Sequence, residues 1–349
     1  MRGRFEYAFI PSIAKQYRPR AWPVFLLSAG RGRSYSAGVD DLFKNPIGAA
    51  TRFCAVYGQP IRHSGSPAMH NPALAKLGLD WRYLAFEVSP DALGQAIEGA
   101  RAMHLVGLNL TVPHKLLALE LVDALDESAT TWGAVNTICF EAKTDSDNWT
   151  PLGQLADTPA GEIRAKGYNT DANAITLALQ QDLGLSLAGL RVLLLGAGGA
   201  GRVAALKLAA EGVAKLHLVN RTVAKAEQLA HEIAERFSQT KVVVGYPKNI
   251  PGQIDLVLNA TSLGLKPTDA LPLDESQFSL ANAQAVFDMI YQPALTPLLA
   301  KATDAGCRTA NGLGMLLWQG AKALEIWTGQ AAPIDVMRSA LGSHIYGDE

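Results

Sequence analysis

The sequence predicts an α/β fold in two domains separated by a cleft, the second of them a doubly wound parallel sheet. Three observations carry this. The chain has 349 residues, 48% of them hydrophobic, which at roughly 150 residues per domain suits about two domains with cores of their own. From Arg52 onward, apolar runs of strand length alternate with helical patterns, the mark of largely parallel sheets. One of those runs passes straight into a glycine-rich turn and then a helix.

In the first half the apolar runs predict strands over residues 53–57, 83–88, 105–110 and 135–140. Between them lie three helical patterns. Residues 72–77 form a short one, 91–103 begin with an acidic first turn, and 115–125 place Leu116, Leu119, Val122 and Leu125 on one face. Residues 141–166 are polar, contain Pro151, Gly153, Pro159 and Gly161, and show no period, so they read as a long hairpin loop at the surface. The second half is more regular. It predicts helices at 172–183, 201–211, 223–237 and 296–305, with strands at 191–195, 216–219, 241–245, 255–259 and 285–289. Two more helices, 315–327 and 334–341, end the chain without new strands, and they are placed to return and cover the first sheet. The expected division is therefore discontinuous: 51–170 with 312–349 in one domain, and 171–311 in the other.

Composition excludes several classes of function. Lys plus Arg number 31 against 32 Asp plus Glu, so no bulk positive field exists to hold a nucleic acid. The expected partner is a small molecule, with no nucleic acid and no membrane, and the chain acts as a monomer or homodimer. No apolar run approaches the ~20 residues that cross a bilayer. Residues 21–29 (AWPVFLLSA) resemble a weak secretory core, but Pro23 and Glu6 speak against it. Residues 1–50 are expected to be an N-terminal extension, disordered or wrongly assigned. Cys54, Cys139 and Cys307 are odd in number and far apart, which fits buried thiols in a reducing cytoplasm. His63, His70 and His114 match no metal-ligand spacing and read as core or supporting residues, and no metal is expected. Met315, Trp318 and Trp327 fall at helical spacing and read as packing.

The glycine-rich turn is the first motif that carries chemistry. The strand RVLLL leads into Gly196, Gly198 and Gly201 at G-x-G-x-x-G spacing, and an Ala/Leu-rich helix follows. Such a Rossmann turn brings backbone amides and a helix N-terminus to a pyrophosphate. Gly196, Ala197, Gly198, Gly199, Ala200 and Gly201 are the candidate cradle. At the end of the next strand an acid would bind the ribose of NAD, and here the chain reads VNRT. Asn220 replaces the acid, Arg221 offers a planar cationic fork to a 2′-phosphate, Thr222 follows, and Lys225 adds charge one turn later. The expected cofactor is NADP.

The first half places polar residues at strand ends where a bare scaffold needs none. Ser64 and Ser66 precede a helix start, Asn109 and Thr111 share one side of a strand, and Lys115 opens the segment after it. Asn136 lies within a strand, and Asn169-Thr170-Asp171 precedes the helix into the second domain. Neutral donors and acceptors with one cation suit a small polyhydroxylated acid.

These segments resemble the shikimate dehydrogenase family. The resemblance runs in order through HSGSP, GLNLTVPHK, GAVNT, GYNTDA, GAGGAG, NRT, NATSLGL, DMIYQPALTPLL and GMLLWQG, and spans residues 53–329. It implies that Lys115 and Asp171 are the catalytic pair. Ser64, Ser66, Asn109, Thr111, Asn136 and Gln319 would hold the substrate, with Tyr291 near the junction. It further implies reversible NADPH-dependent reduction of 3-dehydroshikimate to shikimate, in aromatic amino-acid and chorismate biosynthesis. Two stretches depart from the family pattern, the long 141–166 loop and residues 1–50. A lysine is an easy proton donor and a reluctant base, and the sequence leaves open which of the pair takes the proton. Two alternatives remain at this point: a quinate/shikimate dehydrogenase, and a catalytically silent dinucleotide-binding sensor.

Overall fold

A computed structural model describes residues 47–144, 148–157, 161–248, 254–266 and 268–347. The expected extension over residues 1–50 lies outside them except for its last four residues. Ile47 to Glu349 form one compact unit, within which the described residues build two sheets.

The first sheet is assembled from β1 (Arg52–Gly58), α1 (Ser66–Lys76), β2 (Trp81–Glu87), α2 (Leu93–Ala102), β3 (Gly107–Leu110), β4 (Ala124–Leu125), α3 (Glu127–Trp132), β5 (Thr137–Lys143), β6 (Trp149–Pro151) and β7 (Ile163–Tyr168). Its strand order is β2-β1-β3-β5-β7-β4, with β6 on the side of β5. β1 runs parallel to β2 and β3, whereas β5 is antiparallel to β3, β6 and β7. The sheet is thus mixed, not largely parallel. The second sheet follows as α4 (Asp171–Leu183), β8 (Arg191–Leu195), α5 (Gly199–Ala210), β9 (Lys215–Val219), α6 (Val223–Arg236), β10 (Lys241–Val244), β11 (Ile254–Asn259), β12 (Ala283–Asp288), α7 (Pro297–Asp304) and β13 (Arg308–Asn311). All its strands are parallel, in the order β10-β9-β8-β11-β12-β13. This is the doubly wound arrangement, and its strand order reverses between β8 and β11. The chain closes with α8 (Leu313–Thr328) and α9 (Ile334–Tyr346).

The two-residue period of β1 divides its side chains between two cores. Cys54 and Val56 face Leu317, Leu324 and Trp327 of α8 and Met337 and Leu341 of α9, so the last two helices do cover the first sheet. Ala55 and Tyr57 face Leu93 and Ile97 of α2. In β8, Val192 and Leu194 pack toward α4, α5 and α6, while Leu193 and Leu195 pack toward Phe278, Leu298 and Leu299. The indole of Trp327 donates to the carbonyl of Ile138 at 3.0 Å. Its ring lies against Gly107, where any Cβ would overlap it.

Three expected elements are corrected. Residues 115–125 are no α-helix: a single 3₁₀ turn spans Leu117–Glu120, and Leu116, Leu117, Leu121 and Leu125 are exposed. Backbone groups that a helix would use are taken elsewhere. The Lys115 carbonyl accepts from Val135 N, Asp123 N donates to Ala165 O, and Ala124–Leu125 pair with Lys166 and Gly167. Residues 141–166 are also no simple loop, because β6 and β7 form there and Arg164 pairs with Glu141 at 2.7 Å. The short helix expected at 72–77 begins at Ser66 and passes through Pro72. Strand β13 and helix α3, capped by Asp126 and closed by the left-handed Gly133, were not expected.

Substituting Gly107→Ala should lower the unfolding free energy by about 1–3 kcal/mol through overpacking against Trp327. Urea denaturation checks this, and an unchanged midpoint would show that the indole can yield.

Candidate active site

The site forms beyond the ends of β1 and β3 of the first sheet, and of β8, β12 and β13 of the second. A cavity of about 240 Å³ is lined there by Ser64, Ser66, Asn109, Thr111, Lys115, Asp171, Tyr291 and Gln319. A second, more apolar cavity of about 210 Å³ adjoins it, with Val112, Leu116, Ile175 and Val203 in its wall. Lys115, Asp171, Ala200 and Met315 line both. The two expected catalytic residues therefore stand on the partition between the cavities.

Local folding explains how they arrive there. The His114 ring bonds the Val88 carbonyl at 2.9 Å, and the Lys115 carbonyl is held by Val135 N at 2.8 Å. This pins the backbone on both sides of the lysine. Asp171 is the first residue of α4, where a carboxylate meets the positive end of the helix. Asn169 fixes that helix start: its Oδ1 accepts from Ala172 N and its Nδ2 donates to Ala134 O. Lys115 Nζ then donates to Asp171 Oδ2 at 2.7 Å, with the lysine side chain 29% and the aspartate 9% exposed.

Asn136 is placed differently from its expected direct contact. It is buried behind Asp171, does not line the cavity, and donates from Nδ2 to Asp171 Oδ1 and to Thr170 Oγ1, both at 2.9 Å. Its Oδ1 accepts from Thr170 N at 2.7 Å. The other expected residues come together on the cavity wall. Ser64 Oγ accepts from Ser66 N at 3.3 Å, and Gln319 Nε2 donates to Leu316 O at 2.8 Å. Tyr291 also lines the cavity, and burial pushes its pKa above the ordinary range, opposed by the Gly65 amide.

Sequence reasoning missed several contributors. His63, read as a core or supporting residue, is exposed and lines the cavity, whereas His70 and His114 are buried. Burial holds His70 down to a pKa of about 4, against two weaker carbonyl bonds that raise it. Met315 was read as packing and does pack, but it also faces both cavities. Asp288 went unnoticed although it is fully buried. It accepts from Asn259 Nδ2, Ile290 N and Thr296 Oγ1, and so fixes the loop that carries Met289 and Tyr291. Burial raises its pKa, opposed by those three bonds. The available signal was its motif, a polar residue at the end of an apolar strand, repeated in Asn259.

The glycine-rich turn is built as its spacing requires. Gly196 has φ +105°, and a Cβ on Gly201 would overlap the Gly196 carbonyl. Around Gly198 and Gly199 there is open space where a side chain would be. Both are exposed at the start of α5, so their amides are free to approach an anionic group. Asn220 braces the turn: Oδ1 accepts from Ala197 N at 3.0 Å, and Nδ2 donates to Thr222 O at 2.8 Å. Arg221, Thr222 and Lys225 are exposed beside it. Neither cation has an ion-pair partner among the described residues. A dinucleotide with a 2′-phosphate fits this cradle.

Comparison with known proteins agrees with that geometry. Three family models match in chain order: the shikimate dehydrogenase substrate binding domain over residues 56–138, shikimate / quinate 5-dehydrogenase over 177–291, and the shikimate 5′-dehydrogenase C-terminal domain over 312–341. The NADP(+) shikimate dehydrogenase of Desulforamulus reducens is 39% identical over 305 residues, covering 86% of this chain and 97% of that protein. A crystal structure of a shikimate dehydrogenase in complex with NADP+ superposes with TM-score 0.73 at 36% identity, over 86% of this chain and 97% of the other. The ligand-free 5-ketofructose reductase of a Gluconobacter species superposes with TM-score 0.69 at 32% identity, covering 85% and 100%. Matched by these models in chain order and 39% identical to such a relative over most of both chains, this chain belongs to the shikimate dehydrogenase family.

Proposed function

We propose that this protein is a cytoplasmic, NADP-dependent shikimate dehydrogenase that interconverts 3-dehydroshikimate and shikimate, acting as a monomer or homodimer. Residues 51–170 with 312–349 form its substrate domain, and 171–311 its cofactor domain. One observation carries the reading: the Lys115–Asp171 contact at 2.7 Å lies on the wall shared by two cavities, next to Ala200 of the glycine-rich turn. A proton-handling pair there stands within reach of both a ring hydroxyl and a dinucleotide. Among the described residues no helix is long and apolar enough to cross a membrane, and Cys54, Cys139 and Cys307 are free and buried.

When bound, NADPH supplies the hydride. The protein's share is position and proton. Of the three hydrogens on Lys115 Nζ, one goes to Asp171 Oδ2, which leaves others to bond the substrate oxygen and to protonate it as the carbonyl is reduced. Asp171 keeps the ammonium aimed, and Asn136 in turn fixes the rotation of that carboxylate. In the oxidation direction the hydroxyl proton returns to the same pair. Ser64, Ser66, Asn109, Thr111, Tyr291 and Gln319 surround the remaining ring substituents, and neutral polar groups of this kind reject a ligand that leaves them unpaired.

Steady-state assays with shikimate and quinate, each with NADP and NAD, test the assignment. Turnover should be fastest with shikimate and NADP; preference for quinate with NAD would reverse it. Lys115→Ala should lower kcat by roughly 10² to 10⁴ while the KM for shikimate moves far less. Unaltered turnover in the folded variant would remove Lys115 from the catalytic role. Arg221→Ala should weaken NADP by roughly 10- to 150-fold, the size of one charge-assisted hydrogen bond of about 1.5–3 kcal/mol, and leave NAD almost unchanged. Lys225→Ala should act in the same direction and by less, since an exposed ammonium lacks the fork geometry. Fluorescence titration with the two dinucleotides reads both effects.

A further inference from the structure

Tyr83 sits in β2, fully buried, outside the cavity wall. A buried phenol needs a partner for its hydroxyl. It finds one across β1, donating to Asn109 Oδ1 at 2.7 Å. The ring is held in place by stacking on His70, with centroids 4.1 Å apart and planes at 12°, and by Trp327 at 6.2 Å. The Cys54 thiol and the Ser66 side chain also neighbour the phenol.

An asparagine amide has two N–H donors and two lone pairs on its oxygen. Asn109 Nδ2 directs its hydrogens inward, to Thr137 Oγ1 at 3.0 Å and to the Asn136 carbonyl at 3.4 Å. That carbonyl can only accept, so the amino group must lie on its side. Tyr83 takes one lone pair of Oδ1. Among the described residues nothing takes the other lone pair of Asn109, a residue of the cavity wall. The geometry points to Tyr83 as a positioning and specificity-determining residue: it locks the Asn109 amide with an acceptor toward the ligand, so that the site selects a ring hydroxyl that donates there. A ring carbon without that hydroxyl leaves the acceptor buried and unpaired. The same network continues from Thr137 Oγ1 to Asn136 Oδ1 at 3.3 Å, and so ends at Asp171. Substrate selection and the catalytic pair therefore hang from one set of hydrogen bonds.

This inference rests on the dehydrogenase reading above. Tyr83→Phe in the full chain removes a single oxygen and keeps the ring stack. The KM for shikimate should rise roughly three- to tenfold, the size of one neutral hydrogen bond, with kcat and the KM for NADP within about twofold. Preference for shikimate over one of its two deoxy analogues, lacking a non-reacting ring hydroxyl at C4 or C5, should fall by a similar factor. A merely structural role would lower the thermal transition and leave that preference intact, which would overturn the inference. Should Tyr83→Phe fail to fold, Thr137→Val carries the same test from the other side of the amide. It should raise the KM for shikimate and flatten the same preference, and an unchanged preference again overturns the inference. No shikimate oxidation by the unsubstituted protein would overturn the function itself, and would leave Tyr83 no hydroxyl to select.

Discussion

Both oxygens of one carboxylate hold this site together. Asp171 Oδ2 receives Lys115 and Oδ1 receives Asn136, so a residue at the start of α4 fixes a loop and the entry into β5 of the first sheet at once. α4 also packs against α5, the helix after the glycine-rich turn, and against α8, which covers the first sheet. The position of the carboxylate is thus set by both sheets. Ion pairs of this kind contribute little net stability, because desolvation offsets attraction. Their value lies in geometry: removing either partner leaves a polar group committed to a place with nothing to bond.

The same economy of groups explains why Asn220 stands where an NAD-binding chain has an acid. A carboxylate there could accept from Ala197 N as Asn220 Oδ1 does, but it could not also donate to the Thr222 carbonyl. It would further place a negative charge beside any 2′-phosphate. The neutral amide closes the turn in both directions and leaves Arg221 and Lys225 as the local charges. Cations at the start of α6 oppose its dipole, and an anionic ligand group is what relieves that opposition.

Most of this was legible in the sequence, and the reason differs by region. Strand β8 matched its expectation residue for residue, because a strand buried on both faces reads as an unbroken apolar run, RVLLL, ended by glycine. Residues 115–125 misled for the opposite reason. Their leucines have helical spacing, yet the backbone is committed to Val135, Ala165 and β7, and such pairing is invisible to periodicity. Strand β13 is four residues long and polar at its ends, too short to show a period. In the site, contiguous motifs gave Ser64, Asn109, Lys115 and Asp171. Asn136 was recognised as important, but its direction was not readable. Tyr83 had no signal at all: a tyrosine in WRYLAFE reads as core, and its partner lies 26 residues away across another strand.

Length of reach in sequence is what separates the legible part of the site from the rest. The dinucleotide turn is local, with its glycines, its brace and its cations all between residues 196 and 225, so spacing alone conveys it. Ligand selection, as proposed, is non-local. Asn109 depends on Tyr83 and Thr137, and Tyr83 on its stack with His70. A doubly wound sheet can therefore be kept intact while the first sheet changes what it accepts, because rotating one amide needs only a change two strands away. Fold and cofactor are shared property of such a scaffold, and on the proposal above the choice of hydroxyl acid belongs to a few buried hydrogen bonds beneath the cavity.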